Sequence, residues 1–129
     1  AYLLKFLFPA SETLGATLPA DTVGRAFAME VMLTFILFFV ILQVTTGAKE
    51  KGIMAGVAIG ATVGMDAMFG GPVCGASMNP ARSIGPAIAS GHLEHLWAYI
   101  AAPLLGALLA APTCRLLRGA QCCVNEHDE

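Results

Sequence analysis

The sequence predicts an all-α membrane protein of three spanning helices and one re-entrant half-helix, preceded by the end of a truncated helix. Three observations predict it. First, of 129 residues 57% are hydrophobic and only 12% charged, against about 25% charged in an ordinary soluble domain; the mean hydropathy is +0.72. Second, three apolar runs of near-membrane length fall at 26–46, 52–68 and 97–117, close to the ~20 residues that a spanning helix needs. Third, a short helical segment at 79–89 lies between the second and third runs and is too short to span. The net charge of −2 offers nothing to nucleic acid, and a lipid bilayer is the expected surrounding.

Taken in order, residues 1–8 are apolar and read as the last turns of a helix that starts upstream. With residues 9–25, an external loop rich in Ser, Thr, Gly, Pro and Ala, they form the first region. Residues 26–118 form the second region. Its first span carries one charge, Glu30, near its start. A lone carboxyl at membrane depth is expensive and normally faces the protein interior, with snorkelling to the interface as its alternative. The turn 47–52 holds Lys49 and Lys51 and is placed on the cytoplasmic side by the positive-inside rule.

In the second span Gly56, Gly60 and Gly64 repeat every four residues. In lipid such a bare face predicts close helix–helix packing rather than chemistry. Asp66 follows near the outer end, at the interface or bonded to the next loop. Residues 69–77, with Gly70, Gly71, Pro72 and Gly75, read as a return loop. Irregular backbone at that depth is tolerated only where it is buried in protein or lines a wet cavity.

The helix after this loop has its own logic. Asn79 suits an N-cap, since its side-chain oxygen can accept from an orphan amide of the first turn. Pro80 then occupies the first helical position, where its missing N–H loses nothing. Pro86 limits full regularity to about two turns. Arg82 is the oddity, a cation in the first turn of a helix whose N-terminus already carries roughly +0.5 of an elementary charge. A capped helix in a loop, with Arg82 in solvent, is the plain reading of Asn-Pro-Ala alone. A helix end aimed into a pore explains the cation too, because such a spot repels cations and protons but admits neutral hydrogen-bonding solutes.

Beyond it, His92, Glu94 and His95 form a polar external stretch without a third or fourth metal ligand. The third span opens on Trp97 and Tyr99, suited to the outer interface, with Tyr99 also within reach of a pore. Pro103 is placed to bend it, and Arg115 and Arg118 put its end in the cytoplasm. Residues 119–129 read as a cytoplasmic tail, in which Cys122, Cys123 and His127 are solvated rather than ligating. No metal, cofactor or catalytic constellation is expected, so the chain is not read as an enzyme.

Residues 75–87 (Gly-Ala-Ser-Met-Asn-Pro-Ala-Arg-Ser-Ile-Gly-Pro-Ala) resemble the second signature loop of the aquaporin (major intrinsic protein) family. The resemblance extends over nearly the whole chain, but only to the second half of an aquaporin. It implies that Asn79, Pro80 and Ala81 are one of two pore signatures that meet at the midplane in an inverted repeat. By the same resemblance Arg82, Val63 and Ala76 form the selectivity filter, and the carbonyls of Gly75, Ala76 and Ser77 accept hydrogen bonds from the solute. Glu30 and Thr34, four apart, would prop the pore loop by hydrogen bonding.

The filter positions Val63 and Ala76 are small and apolar, where water-selective members place a His at the helix position. This is similar to nodulin-26-like channels and their bacterial relatives, which pass glycerol, urea or uncharged metalloid acids besides water. Ser83, where dedicated glycerol facilitators carry Asp, pulls back towards water. The first repeat is missing, so a complete pore needs that repeat or another copy of the chain, and the family forms tetramers. The expected function is a passive channel for water and small neutral solutes in the cell membrane. The rival is a non-conducting subunit or truncated product that assembles with other helices without forming a pore.

Overall fold

The computed structural model describes residues 1–45 and 49–119. They form five helices: α1 (Tyr2–Leu7), α2 (Val23–Thr45), α3 (Lys49–Cys74), α4 (Pro80–Ser90) and α5 (Leu96–Arg118). Among the described residues there is no strand. Three helical stretches are long and apolar enough to cross a membrane, Val23–Thr45, Met54–Cys74 and Leu96–Arg118. Residues 46–48 of the expected cytoplasmic turn and residues 120–129 of the expected tail, with Cys122, Cys123 and His127, lie outside the described residues.

α2 is the centre of the bundle and packs along both α3 and α5, while α4 rests on α5 and α1. Its start is defined locally. Thr22 Oγ1 accepts from Arg25 N at 3.4 Å, a cap on an amide that has no intrahelical partner. Asp21 pairs with Arg25 one turn on, at the exposed end. Its buried positions, Ala26, Glu30, Leu33, Thr34 and Leu37, recur at helical spacing and make one stripe. Lipid tails are as apolar as Leu, so this stripe is held by close packing rather than by expulsion of water.

Two glycines set the packing distance. A Cβ on Gly106 of α5 would stand 2.5 Å from the Val31 carbonyl oxygen and 2.9 Å from both Phe35 N and Thr34 Cβ. A Cβ on Gly70 of α3 would stand 2.5 Å from Leu33 Cδ1. Among the described residues, none packs in this way on the expected face at Gly56, Gly60 and Gly64. All three are exposed, and no described atom of another element lies within 4 Å of where their Cβ atoms would be. The reason is rotational. α3 buries Thr62, Asp66, Gly70 and Cys74, and the glycine row lies on another side of the helix.

The return loop is shorter than the sequence suggests. α3 runs through Gly70, Gly71 and Pro72 to Cys74, leaving 75–79 to turn the chain. Proline at 72 removes one amide donor, yet the last turn is pinned by buried Gly70 and Cys74 and by Gly75 N donating to Gly71 O at 2.9 Å. Likewise α4 runs through Pro86 to Ser90, 11 residues in all and longer than two turns, because Ala87 and Ala89 are buried beyond the proline.

Two further expectations are corrected. Tyr99 reaches neither interface nor pore; it is 1% exposed and packs in the core with Ala26, Leu33, Leu37 and Cys74. Of these two aromatics Trp97 is the exposed one, its ring 5.8 Å from that of Phe27. Asp66 is fully buried, and neither oxygen has a hydrogen-bond partner among the described residues, so it neither sits at an interface nor bonds to the loop.

These contacts predict opposite responses to the same small change. Gly106→Ala should destabilise the chain by about 1–3 kcal/mol through overpacking against the α2 backbone. Gly60→Ala should shift stability by no more than about 1 kcal/mol. Equilibrium unfolding in detergent compares the two, and an equal loss in both would remove Gly106 as the close contact.

Candidate functional site

The site grows from the reversal between α3 and α4. Three of its residues are left-handed: Gly75 (φ 81°), Ala76 (φ 44°) and Met78 (φ 52°). Glycine adopts this region freely, but a residue with a Cβ is strained there by roughly 1–2 kcal/mol. Something must hold Ala76 and Met78 in place.

The holder is Glu30 of α2. Its Oε1 accepts from Ser77 N at 2.6 Å and its Oε2 from Met78 N at 2.8 Å. The side chain is 1% exposed, so the snorkelling alternative is excluded. Two successive amides turned to one side make a small anion-binding concavity, and the carboxylate fills it with short charge-assisted bonds. The lone charge of the first span thus satisfies backbone donors that would otherwise be orphaned at membrane depth. Thr34 does not share this work. Its Oγ1 is buried with no hydrogen-bond partner among the described residues, and its Cβ lies against Gly106. The tight approach of α5 at Gly106 accounts for its burial.

The start of α4 matches its local chemistry. Asn79 is extended (φ −153°, ψ 115°), and its Oδ1 accepts from Ala81 N at 2.9 Å. Pro80 takes the first helical position. The Asn79 carbonyl accepts from Arg82 N at 3.1 Å. Oδ1 being engaged, the side-chain amide of Asn79 is oriented with its donors away from the helix. Arg82 is exposed, and its guanidinium has no hydrogen-bond or ion-pair partner among the described residues.

A cavity of about 500 Å³ opens at this point. Ser77, Met78, Asn79, Pro80 and Arg82 line one side of it, Val63 of α3 joins them, and apolar residues such as Phe38 of α2 and Leu104 of α5 line the rest. Of the residues singled out in the sequence, the structure therefore brings Asn79, Pro80, Arg82, Val63 and Ser77 to one cavity. Ala81 is exposed beside it. Gly75 and Ala76 are not among its walls; Ala76 is 5% exposed and belongs to the core cluster with Cys74 and Tyr99. Its left-handed backbone turns its methyl inward. Gly56, Gly60 and Gly64 lie away from the cavity as well.

Three contacts that steady α4 carry no local signal. Ser83 Oγ lies 2.6 Å from both Thr17 Oγ1 and Ser77 Oγ, and Lys5 Nζ donates to Ala89 O at 2.9 Å. Two of them join positions 66 and 84 apart and the third pairs two ordinary serines, so no local pattern reveals them. Of the two histidines in the stretch 92–95, the one described side-chain hydrogen bond is His92 Nδ1 to Ser90 Oγ at 3.2 Å.

The family profile of the major intrinsic proteins matches residues 1–113. Aquaporin NIP6-1 of Arabidopsis thaliana is 41% identical over 118 residues, covering 92% of this chain and 39% of that protein. Aquaporin NIP3-1 of the same plant is 50% identical over 102 residues, covering 79% and 32%. Nodulin-26 of Glycine max is 43% identical over 116 residues, covering 89% and 43%. The chain thus spans well under half the length of these relatives.

Glu30→Gln should loosen the reversal, because an amide offers one acceptor oxygen where the carboxylate offers two. Leaving one buried N–H unpaired removes about 1–3 kcal/mol. Hydrogen exchange at the Ser77 and Met78 amides should accelerate by about tenfold or more. Unchanged exchange at both would show that Glu30 is not what holds them.

Proposed function

Because the chain belongs to the major intrinsic protein family, we propose that it supplies the second half of a passive transmembrane channel for water and small uncharged solutes. The observation that carries this reading is the convergence of Asn79, Arg82 and Val63 on one cavity between membrane-length helices. A neutral solute in that cavity meets the amide donors of Asn79 on one side. On the other it meets Phe38 and Leu104, which offer no hydrogen bond. A molecule able to exchange water's hydrogen bonds for this short polar track passes. A cation meets the positive end of α4 together with the Arg82 guanidinium and is repelled. No covalent step is involved, and the proposed function is transport rather than catalysis.

Val63 and Arg82 are the proposed filter residues on this half, with Ala76 shaping the loop behind them. The small side chain at 63 supports a filter wide enough for glycerol, urea or uncharged metalloid acids alongside water. Since relatives of this family are more than twice as long, the other half of the pore comes in this reading from a first repeat or from a second copy, within the tetramer expected of the family. The chain lies in the cell membrane with its C-terminus cytoplasmic. A C-terminal epitope readable only after permeabilising cells tests that orientation.

Stopped-flow shrinkage of proteoliposomes tests the channel. The chain alone, and the chain co-inserted with a first repeat, are compared with empty vesicles under water and glycerol gradients. Faster shrinkage with a low activation energy is expected in at least one preparation. Rates equal to empty vesicles in both, with inserted and folded protein, would leave a non-conducting assembly subunit instead. In a conducting preparation Arg82→Ala should raise glycerol flux and admit ions. Unchanged selectivity would remove Arg82 from the filter.

A further inference from the structure

Three buried hydroxyls link the loop before α2 to the start of α4, and their protons can be counted. Ser77 Oγ lies 2.9 Å from the Asn79 carbonyl oxygen. A carbonyl only accepts, so Ser77 donates its one proton there. The contact between Ser77 Oγ and Ser83 Oγ, 2.6 Å, is therefore donated by Ser83. The contact between Ser83 Oγ and Thr17 Oγ1, also 2.6 Å, is then donated by Thr17. The chain has one direction, Thr17 to Ser83 to Ser77 to the Asn79 carbonyl. Thr17, Ser77 and Ser83 are 7%, 3% and 1% exposed, so bulk water does not compete for these bonds.

The backbone around Thr17 is anchored on the same spot. A Cβ on Gly75 would meet Thr17 at 3.2–3.3 Å, and Ala20 N donates to Val73 O at 3.0 Å. The segment therefore lies over both ends of the reversal. The carbonyl where the hydroxyl chain ends also accepts the Arg82 amide at 3.1 Å, and Ser83 follows Arg82 directly. Fixing Ser83 fixes the rotation of α4 about its axis, and with it the direction of Arg82. An acidic side chain at 83, ionised, only accepts; it could bond Ser77 only by drawing the Ser77 proton away from the Asn79 carbonyl, which ends the one-way chain.

We propose that Thr17 is a positioning residue for the Arg82 segment, acting through this one-way hydroxyl chain, and that it thereby tunes which neutral solutes pass. The proposal rests on the channel reading for its effect on selectivity, but not for the hydrogen-bond chain itself. Thr17→Val keeps the branched shape and removes the donor; Thr17→Ser keeps the donor.

In a conducting proteoliposome preparation, Thr17→Val should raise the glycerol-to-water permeability ratio by about two- to tenfold, the range set by one hydrogen bond. Thr17→Ser should restore the wild-type ratio, and Thr17→Val combined with Ser83→Ala should change it no more than the larger single substitution. A Thr17→Val ratio within about 1.5-fold of wild type, below the effect of one hydrogen bond, or failure of Thr17→Ser to restore it, overturns the proposal while water conduction still stands. If the wild type itself conducts no water, the channel reading fails instead. Unfolding in detergent then decides the hydroxyl chain. A coupling between Thr17→Val and Ser83→Ala of at least about threefold in the unfolding equilibrium constant is expected, and additivity overturns it.

Discussion

A carboxylate buried at 1% exposure holds two consecutive amides of a left-handed turn, and the remainder of the fold is arranged so that it can. Within a membrane a chain reversal has no water to satisfy its donors. Glu30 is the only ionisable side chain of α2 beyond its first turn. To bring it under Ser77 and Met78, α2 must lie close to the end of α3. Gly70 permits this by leaving room for Leu33. Gly106 lets α5 close on the opposite side, with its backbone almost touching Val31 and Phe35. The strained φ values of Ala76 and Met78 persist because Glu30, the core around Ala76 and the Asn79 cap constrain the turn together.

What could be read from the sequence was local. Apolar runs gave the three long helices to within a few residues at most ends. Asn79 and Pro80 are a cap and a first helical residue by the chemistry of those two side chains alone. Glu30 was conspicuous as a lone charge in an apolar run. The misreadings arise where tertiary contact outweighs local preference. Gly70, Gly71 and Pro72 have the composition of a loop, yet burial of Gly70 and Cys74 carries α3 through them. The glycine row at 56, 60 and 64 has the right period for packing, but period alone does not say which face another helix takes. Single glycines, 70 and 106, carry the close contacts without any repeat to mark them.

Polar groups show the same division. Thr34 is expected to hydrogen-bond and Tyr99 to reach an interface or a pore, yet both hydroxyls are buried without a partner among the described residues, as are both oxygens of Asp66. In each case the side chain is fixed by what packs around it. The hydroxyls that bond one another, Thr17, Ser77 and Ser83, carry no mark of that pairing in the sequence. Their partners lie 6 and 66 positions apart, and ordinary serines and threonines carry no mark of a distant mate.

The long-range bonds around α4 are also ordered along the chain. Glu30 meets Ser77 across 47 positions, Thr17 meets Ser83 across 66, and Lys5 meets Ala89 across 84. The three pairs are nested, each enclosing the one before. As a chain emerges from the ribosome, Ser77, Ser83 and Ala89 appear in that sequence, each completing the next outward pair. Once the innermost is made, the free loop left for the next is short, and its closure entropy falls accordingly. By closure entropy, the cheapest order in which to fasten the half-helix therefore runs from its N-terminus towards its C-terminus, the direction of synthesis.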